Sequence, residues 1–170
     1  GGPPRFIALT FGCSVTGIDL TPEFVEAASE VTRRCGLACR VTFRQGYALA
    51  LPFSDASFDA VTCQYVAMNI EDKATLLKEA ARVLKRGGRL AFSLVLAGNG
   101  EAPDYPLPWS GDGAGSFLIG AEGLRGAFAG AGFSISAWTD EGDKVQDFTI
   151  RMRGDNLGLE QIASRTKDFA

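Results

Sequence analysis

Four β-rich runs, residues 13–19, 39–44, 58–65 and 89–96, are spaced along this chain with helix-forming stretches between them. Strands alternating with helices at about 30 to 35 residues per unit mean parallel β-α-β repeats with right-handed crossovers. The predicted class is α/β with a doubly wound, mostly parallel sheet. Such a sheet binds its ligand in the crevice beyond the carboxyl ends of its strands.

The punctuation agrees with this alternation. Pro3 and Pro4 suit the first turn of a helix over 3–10, which Gly12 ends. Thr21, Pro22 and Glu23 read as N-cap, first-position proline and acidic first turn of a helix that stops near Gly36. Asp72 caps a third helix carrying Leu76, Leu77, Ala80, Val83 and Leu84, with Lys85 and Arg86 as its basic last turn and Gly87-Gly88 as its stop. The run 89–96 is almost continuously apolar at its centre, as in a strand covered on both faces. A long Gly/Pro/aromatic loop over 97–115 is a candidate for function. A glycine-broken helix over 121–131 and a strand over 133–138 follow. In the tail the spacing of Val145, Phe148 and Met152 fits a helix, whereas Phe148, Ile150 and Met152 fit a strand. The helix is preferred.

Composition narrows the chemistry. The 170 residues contain no histidine, so imidazole bases, Ser-His-Asp triads and His-rich zinc sites are excluded. A net charge of −3 gives no electrostatic footprint for nucleic acid. Cys13, Cys35, Cys39 and Cys63 form no C-x-x-C pair and read as buried small apolar residues, with no metal expected. The apolar stretch 90–98 is too short to span a bilayer, and no leader precedes Gly1, so a cytoplasmic location and no membrane partner are expected. The opening Gly-Gly-Pro-Pro reads as the interior of a longer protein.

The crevice rule selects Asp19 and Leu20, Gly46 to Ala48, Gln64 and Tyr65, and the loop after Leu96. An acid directly after a strand accepts hydrogen bonds from ribose hydroxyls. The other reading of Asp19 is a plain residue preceding a helix, but Thr21 already provides the cap, which leaves Asp19 without a local task. Leu20 either lies against an adenine face or belongs to the core.

At this point a resemblance enters. It is carried by Gly1-Gly-Pro-Pro-Arg-Phe-Ile-Ala8, Val15-Thr-Gly-Ile-Asp-Leu-Thr-Pro-Glu-Phe24 and Ala48-Leu-Ala-Leu-Pro-Phe53. Ser57-Phe-Asp-Ala-Val61, Met68-Asn-Ile70 and Arg82-Val-Leu-Lys-Arg-Gly-Gly-Arg-Leu90 extend it. In order and spacing these runs resemble the class I S-adenosylmethionine-dependent methyltransferases. The similar branch acts on small molecules and includes ubiquinone/menaquinone C-methyltransferases and sarcosine/dimethylglycine N-methyltransferases. The likeness covers residues 1–138 as the core of a single partial domain, with 139–170 as a C-terminal segment.

The resemblance implies a Rossmann-like sheet of seven strands whose first, central strand ends in a glycine-rich turn. Gly1 and Gly2 are the tail of that turn, so the first strand, and a clear last one, are missing from the pattern. Either the protein continues upstream, or another copy or an additional N-terminal polypeptide completes the sheet. Gly1 and Gly2 would approach the methionyl carboxylate of S-adenosylmethionine, Asp19 the ribose and Leu20 the adenine. The family usually has an Asp where Tyr47 stands, and Tyr47 would stack on the base or donate to it. Ala48 would give backbone contacts, Gln64 would line the methionine part, and Tyr65, Met68 and Trp109 would face a small-molecule acceptor. Pro106 and Pro108 stiffen the Trp109 loop, and Phe117 joins it or packs in the core.

A sulfonium methyl is already activated, so in-line displacement needs mainly alignment and exclusion of water. A dedicated base is optional, with Asp104 and Tyr105 the titratable candidates. Two alternatives stand beside this reading: an NAD(P)-dependent oxidoreductase fragment, which also places an acid after its second strand, and a non-catalytic nucleoside-binding or assembly protein.

Overall fold

The computed structural model describes residues 1–98, 103 and 105–142, and the chain falls into two units, Gly1–Ser134 and Ile135–Ala170. The first unit opens with helix α1 (Gly2–Phe11), strand β1 (Val15–Asp19), helix α2 (Pro22–Arg34) and strand β2 (Val41–Gln45). Strand β3 (Phe58–Gln64), a 3₁₀ turn (Ala67–Asn69), helix α3 (Lys73–Val83), strand β4 (Leu84–Ser93) and helix α4 (Ala121–Gly130) complete it.

Local chemistry accounts for the element ends. Prolines occupy the first turn of α1, and Gly12 closes it with φ +67°, its N–H donating to the Ala8 carbonyl. Pro22 and Glu23 open α2, and near its end Glu30 accepts from Arg33 and Arg34. Asp72 caps α3 by accepting from the Thr75 amide at 2.8 Å and the Thr75 hydroxyl at 2.6 Å.

The strands form two parallel pairs. β1 runs beside β2 from Val15 opposite Val41 to Asp19 opposite Gln45. β3 runs beside β4 from Ala60 opposite Arg89 to Gln64 opposite Ser93, with a bulge before it. Among the described residues no ladder joins the pairs, which form two separate two-stranded sheets. The core lies on one side of β3 and β4. Leu76, Leu77, Ala80 and Val83 of α3 meet Leu124 and Phe128 of α4, and the Phe128 ring meets Phe92 edge-on at 5.3 Å. Ala8 of α1, Thr32 of α2 and Val41 of β2 are buried as well.

Four expectations are corrected. Strand β4 begins at Leu84 rather than Arg89, so Lys85 and Arg86 follow α3 instead of ending it. Lys85 pairs with Asp59 across the ladder at 2.8 Å, and the bulge absorbs the extra residues. Exposure alternates along β4 after Gly87, because α3 and α4 cover one face only. Residues 133–138 form no strand. Phe133 folds back to donate to the Phe128 carbonyl, and nothing described offers them a ladder. Cys13, Cys35 and Cys39 are exposed, because they lie in the loops and caps around β1, α2 and β2 rather than in elements. Only Cys63, on β3, is half-buried, and burial pushes its thiol up from the usual value.

The second unit is described only over residues 135–142, where Asp140 accepts from the Gly142 amide. The helix preferred for the tail lies outside the described residues. None of the described helices is long and apolar enough to cross a membrane.

Candidate functional site

The carboxyl ends of β1 and β2 bring one set of candidates together. Asp19 lies opposite Gln45, its carbonyl accepts from the Gly46 amide at 3.0 Å, and Gln45 Nε2 donates to the Leu20 carbonyl at 3.1 Å. Tyr47 and Ala48 follow in a tight turn closed by the Ala50 amide on the Tyr47 carbonyl. The idea that Thr21 leaves Asp19 without a local task is overturned. Thr21 makes no side-chain cap, and Asp19 Oδ1 takes the Thr21 amide at 2.9 Å instead. Its Oδ2 accepts no hydrogen bond from the described residues. Leu20 is 61% exposed, which removes the core reading, and the Tyr47 ring is half-exposed above the turn.

At the start of α1, Gly1 and Gly2 precede amides that no side chain caps. A Cβ at Gly1 would stand 2.8 Å from that of Ala28, so only glycine lets the chain lie this close to α2.

The segment after Tyr47 is held by residues that sequence reasoning missed. Arg82 of α3 donates to the Leu51 and Phe53 carbonyls, to Asp55 and to Glu79, while Glu79 Oε2 takes the Leu51 amide at 2.7 Å. Hydrogen bonds from Arg82 hold the Glu79 carboxyl below the usual carboxylate range. An Arg in the Arg82-Val-Leu run was the available signal, but a helical pattern does not say which loop its guanidinium reaches.

The second set lies beyond β3 and β4. Gln64 Nε2 donates to Thr62 at 3.2 Å. Tyr65 is 65% exposed and has φ +53°, a left-handed conformation that a bulky residue rarely adopts. Met68 is buried in the core, and its carbonyl accepts the Phe117 amide at 2.7 Å. Trp109 donates its indole N–H to Ser116 Oγ at 3.1 Å. These last two residues help to line a cavity of about 500 Å³, with Val95, Leu96, Tyr105, Leu107 and Leu118 in its wall. Phe117, Tyr65 and Met68 are not in that wall, nor are Asp19, Tyr47 and Gln64. The cavity wall thus holds Trp109 without Tyr65 or Met68, and the 3₁₀ turn places Met68 in the core. Asp104 lies outside the described residues.

Lys73 is a further residue not foreseen. It is 7% exposed, and its Nζ donates to the Ile70 carbonyl and to the Phe117 carbonyl, the latter at 2.7 Å. Burial lowers its pKa from the usual lysine value. The backbone groups of Phe117 are therefore tied to the 3₁₀ turn and to the first residue of α3, which sets where Ser116 and Leu118 stand in the cavity wall.

Comparison with known proteins bears on this arrangement. Residues 1–92 match the family model described as a methyltransferase domain. The uncharacterized methyltransferase YcgJ of Bacillus subtilis is 47% identical over 91 residues, which are 54% of this chain and 34% of that protein. The chloroplastic tocopherol O-methyltransferase of Arabidopsis thaliana is 34% identical over 110 residues, 64% of this chain and 32% of that one. The crystal structure of the Bacillus YcgJ protein superposes with a TM-score of 0.57 at 29% identity, covering 69% of this chain and 51% of that chain. The chain spans about a third of the length of these curated relatives. With more than half of its residues inside the family model and its parallel pairs in the order the motifs require, this chain belongs to the class I S-adenosylmethionine-dependent methyltransferases.

Proposed function

We propose that the chain takes part in methyl transfer from S-adenosylmethionine to a small-molecule acceptor. The observation that carries this reading is the family match over 1–92, which contains Asp19 at the carboxyl end of β1 beside the Gly46–Ala48 turn. The residues present fit such a donor. Asp19 keeps one carboxylate oxygen without a partner among the described residues and would hold the ribose, while exposed Leu20 would meet the adenine. Tyr47 and Ala48 would bound the base. Gly1 and Gly2 at the start of α1 would take the methionyl carboxylate through backbone amides, and Gln64 would line that part of the site.

Bound there, S-adenosylmethionine supplies a sulfonium methyl that is already electrophilic. The work left to the protein is alignment and exclusion of water. Tyr65 faces the acceptor from the end of β3, and Trp109 forms part of the acceptor cavity. Tyr105 is the described residue able to exchange a proton with an acceptor hydroxyl. Asp104 is proposed for the same role; residues 1–170 are proposed to form one partial domain, located in the cytoplasm.

Titration calorimetry of the chain with S-adenosylhomocysteine, followed by transfer of a labelled methyl to a panel of amines, phenols and enols, tests the proposal. Binding with label transfer is expected. Binding without transfer would make the chain a nucleoside-binding member of the family, and no binding would overturn the donor reading.

A further inference from the structure

Two residues of α3 act where the halves of the candidate site meet. Among the described residues no ladder joins the β1–β2 pair to the β3–β4 pair. The turn after β2 is therefore set against α3 and β3 by side chains, and Glu79 and Arg82 supply the bonds. Leu51 follows Ala50, whose amide closes the turn on the Tyr47 carbonyl. Both backbone groups of Leu51 are taken by α3. Its amide donates to Glu79 Oε2 at 2.7 Å, and its carbonyl accepts from Arg82 Nη2 at 3.0 Å. The near end of the same turn is held as well. The Gly46 amide donates to the Asp19 carbonyl at 3.0 Å, and a Cβ at Gly46 would stand 3.1 Å from Pro52. One end of the turn is thus fixed to β1 and the other to α3.

The five N–H donors of Arg82 make five hydrogen bonds. Nε and Nη2 form a fork on Glu79, Nη2 also reaches Leu51, and Nη1 reaches the Phe53 carbonyl and Asp55. The Asp55 contact counts for little, since that carboxylate is 78% exposed. Glu79 is 17% exposed, so the weight falls on the fork and on the backbone of Leu51 and Phe53. A lysine has no planar fork and cannot serve Glu79 and two carbonyls together.

We propose that Glu79 and Arg82 are positioning residues for the base of the donor, ordering the turn from Tyr47 to Ala50 before the ligand arrives. This rests on the methyl-transfer reading above, in which Tyr47 and Ala48 bound the base. A turn ordered in advance spares binding the entropy of fixing it. The ribose and methionine parts, assigned to Asp19, Gly1, Gly2 and Gln64, do not depend on Leu51.

The test titrates the full chain and its variants Arg82→Lys and Glu79→Gln with two compounds. One is S-adenosylhomocysteine, the other S-ribosylhomocysteine, which has a hydroxyl in place of the base. Either variant should weaken S-adenosylhomocysteine about five- to tenfold and leave S-ribosylhomocysteine within about twofold. In the unliganded variants, exchange of the Ala50 amide should quicken at least about fivefold more than that of Leu77. Equal losses for both compounds, or none for either, overturn the assignment, because a merely structural role acts on both alike. Unchanged exchange at Ala50 overturns it too, and decides alone where S-ribosylhomocysteine binds no form of the chain. Variants at two residues keep the test valid if one does not fold. Absence of S-adenosylhomocysteine binding by the unaltered chain sinks the donor reading together with this assignment. Binding by the unaltered chain, with equal losses in the variants, sinks this assignment alone.

Discussion

Asp19 serves two ends with one side chain. Oδ1 orders the start of α2 through the Thr21 amide, and Oδ2 takes no hydrogen bond from the described residues. Asp19→Ala should weaken S-adenosylhomocysteine binding by about 1–3 kcal/mol in calorimetry, through lost charge-assisted hydrogen bonds. Asp19→Asn, which can still accept the Thr21 amide, should keep the fold and lose most of the same affinity. Tyr47 occupies the place of a family acid on a turn that leaves its ring half-exposed. Tyr47→Asp is expected to leave donor affinity unchanged or to raise it severalfold. A large loss in the same titration would show that the ring makes its own contact.

Three helix-borne side chains hold the loops around the crevice. Glu79 and Arg82 fasten residues 51–55 to α3, and Lys73 fastens Phe117 to its start. The folded-state pKa of Glu79 is depressed, so its contribution is fully present above the ordinary carboxylate value of 4.5. That contribution is lost as pH falls through the folded value. Melting temperature should accordingly be level near neutrality and decline below about pH 4.5. Glu79→Gln should lower it by roughly 2–4 °C at pH 7 and flatten the acid decline, read by circular dichroism. Lys73→Met keeps the buried stem but leaves two carbonyls without a donor, at a cost of about 1–3 kcal/mol in denaturant unfolding. Amide exchange at Phe117 should quicken in that variant more than at Leu77 in the core of α3.

Stability is distributed unevenly through the first unit. α3, α4 and β4 share the large buried side chains, whereas β1 has no buried residue and one unpaired edge among the described strands. Native-state hydrogen exchange should therefore find the slowest amides in α3 and amides of β1 at least about tenfold faster. Equal protection in both would contradict two separate parallel pairs. Much of this was legible beforehand. The caps at Asp72 and Gly12, the prolines opening α1 and α2, and the acid ending β1 are local signals, decided by backbone chemistry within a few residues. The strand start at Leu84 was not legible, because a run of Lys, Arg and Gly fits a helix end as well as a bulge, and only the partner Asp59 selects between them. The same holds for residues 133–138, where an apolar alternation without a neighbouring ladder does not become a strand. Sequence alone therefore determined the parallel α/β class, the caps at Asp72 and Gly12 and the family. Tertiary structure decided that Met68 is core while Trp109 lines a cavity, and that Lys73 and Arg82 hold the loops. Each of these depends on a partner up to 44 residues away, which periodicity does not encode.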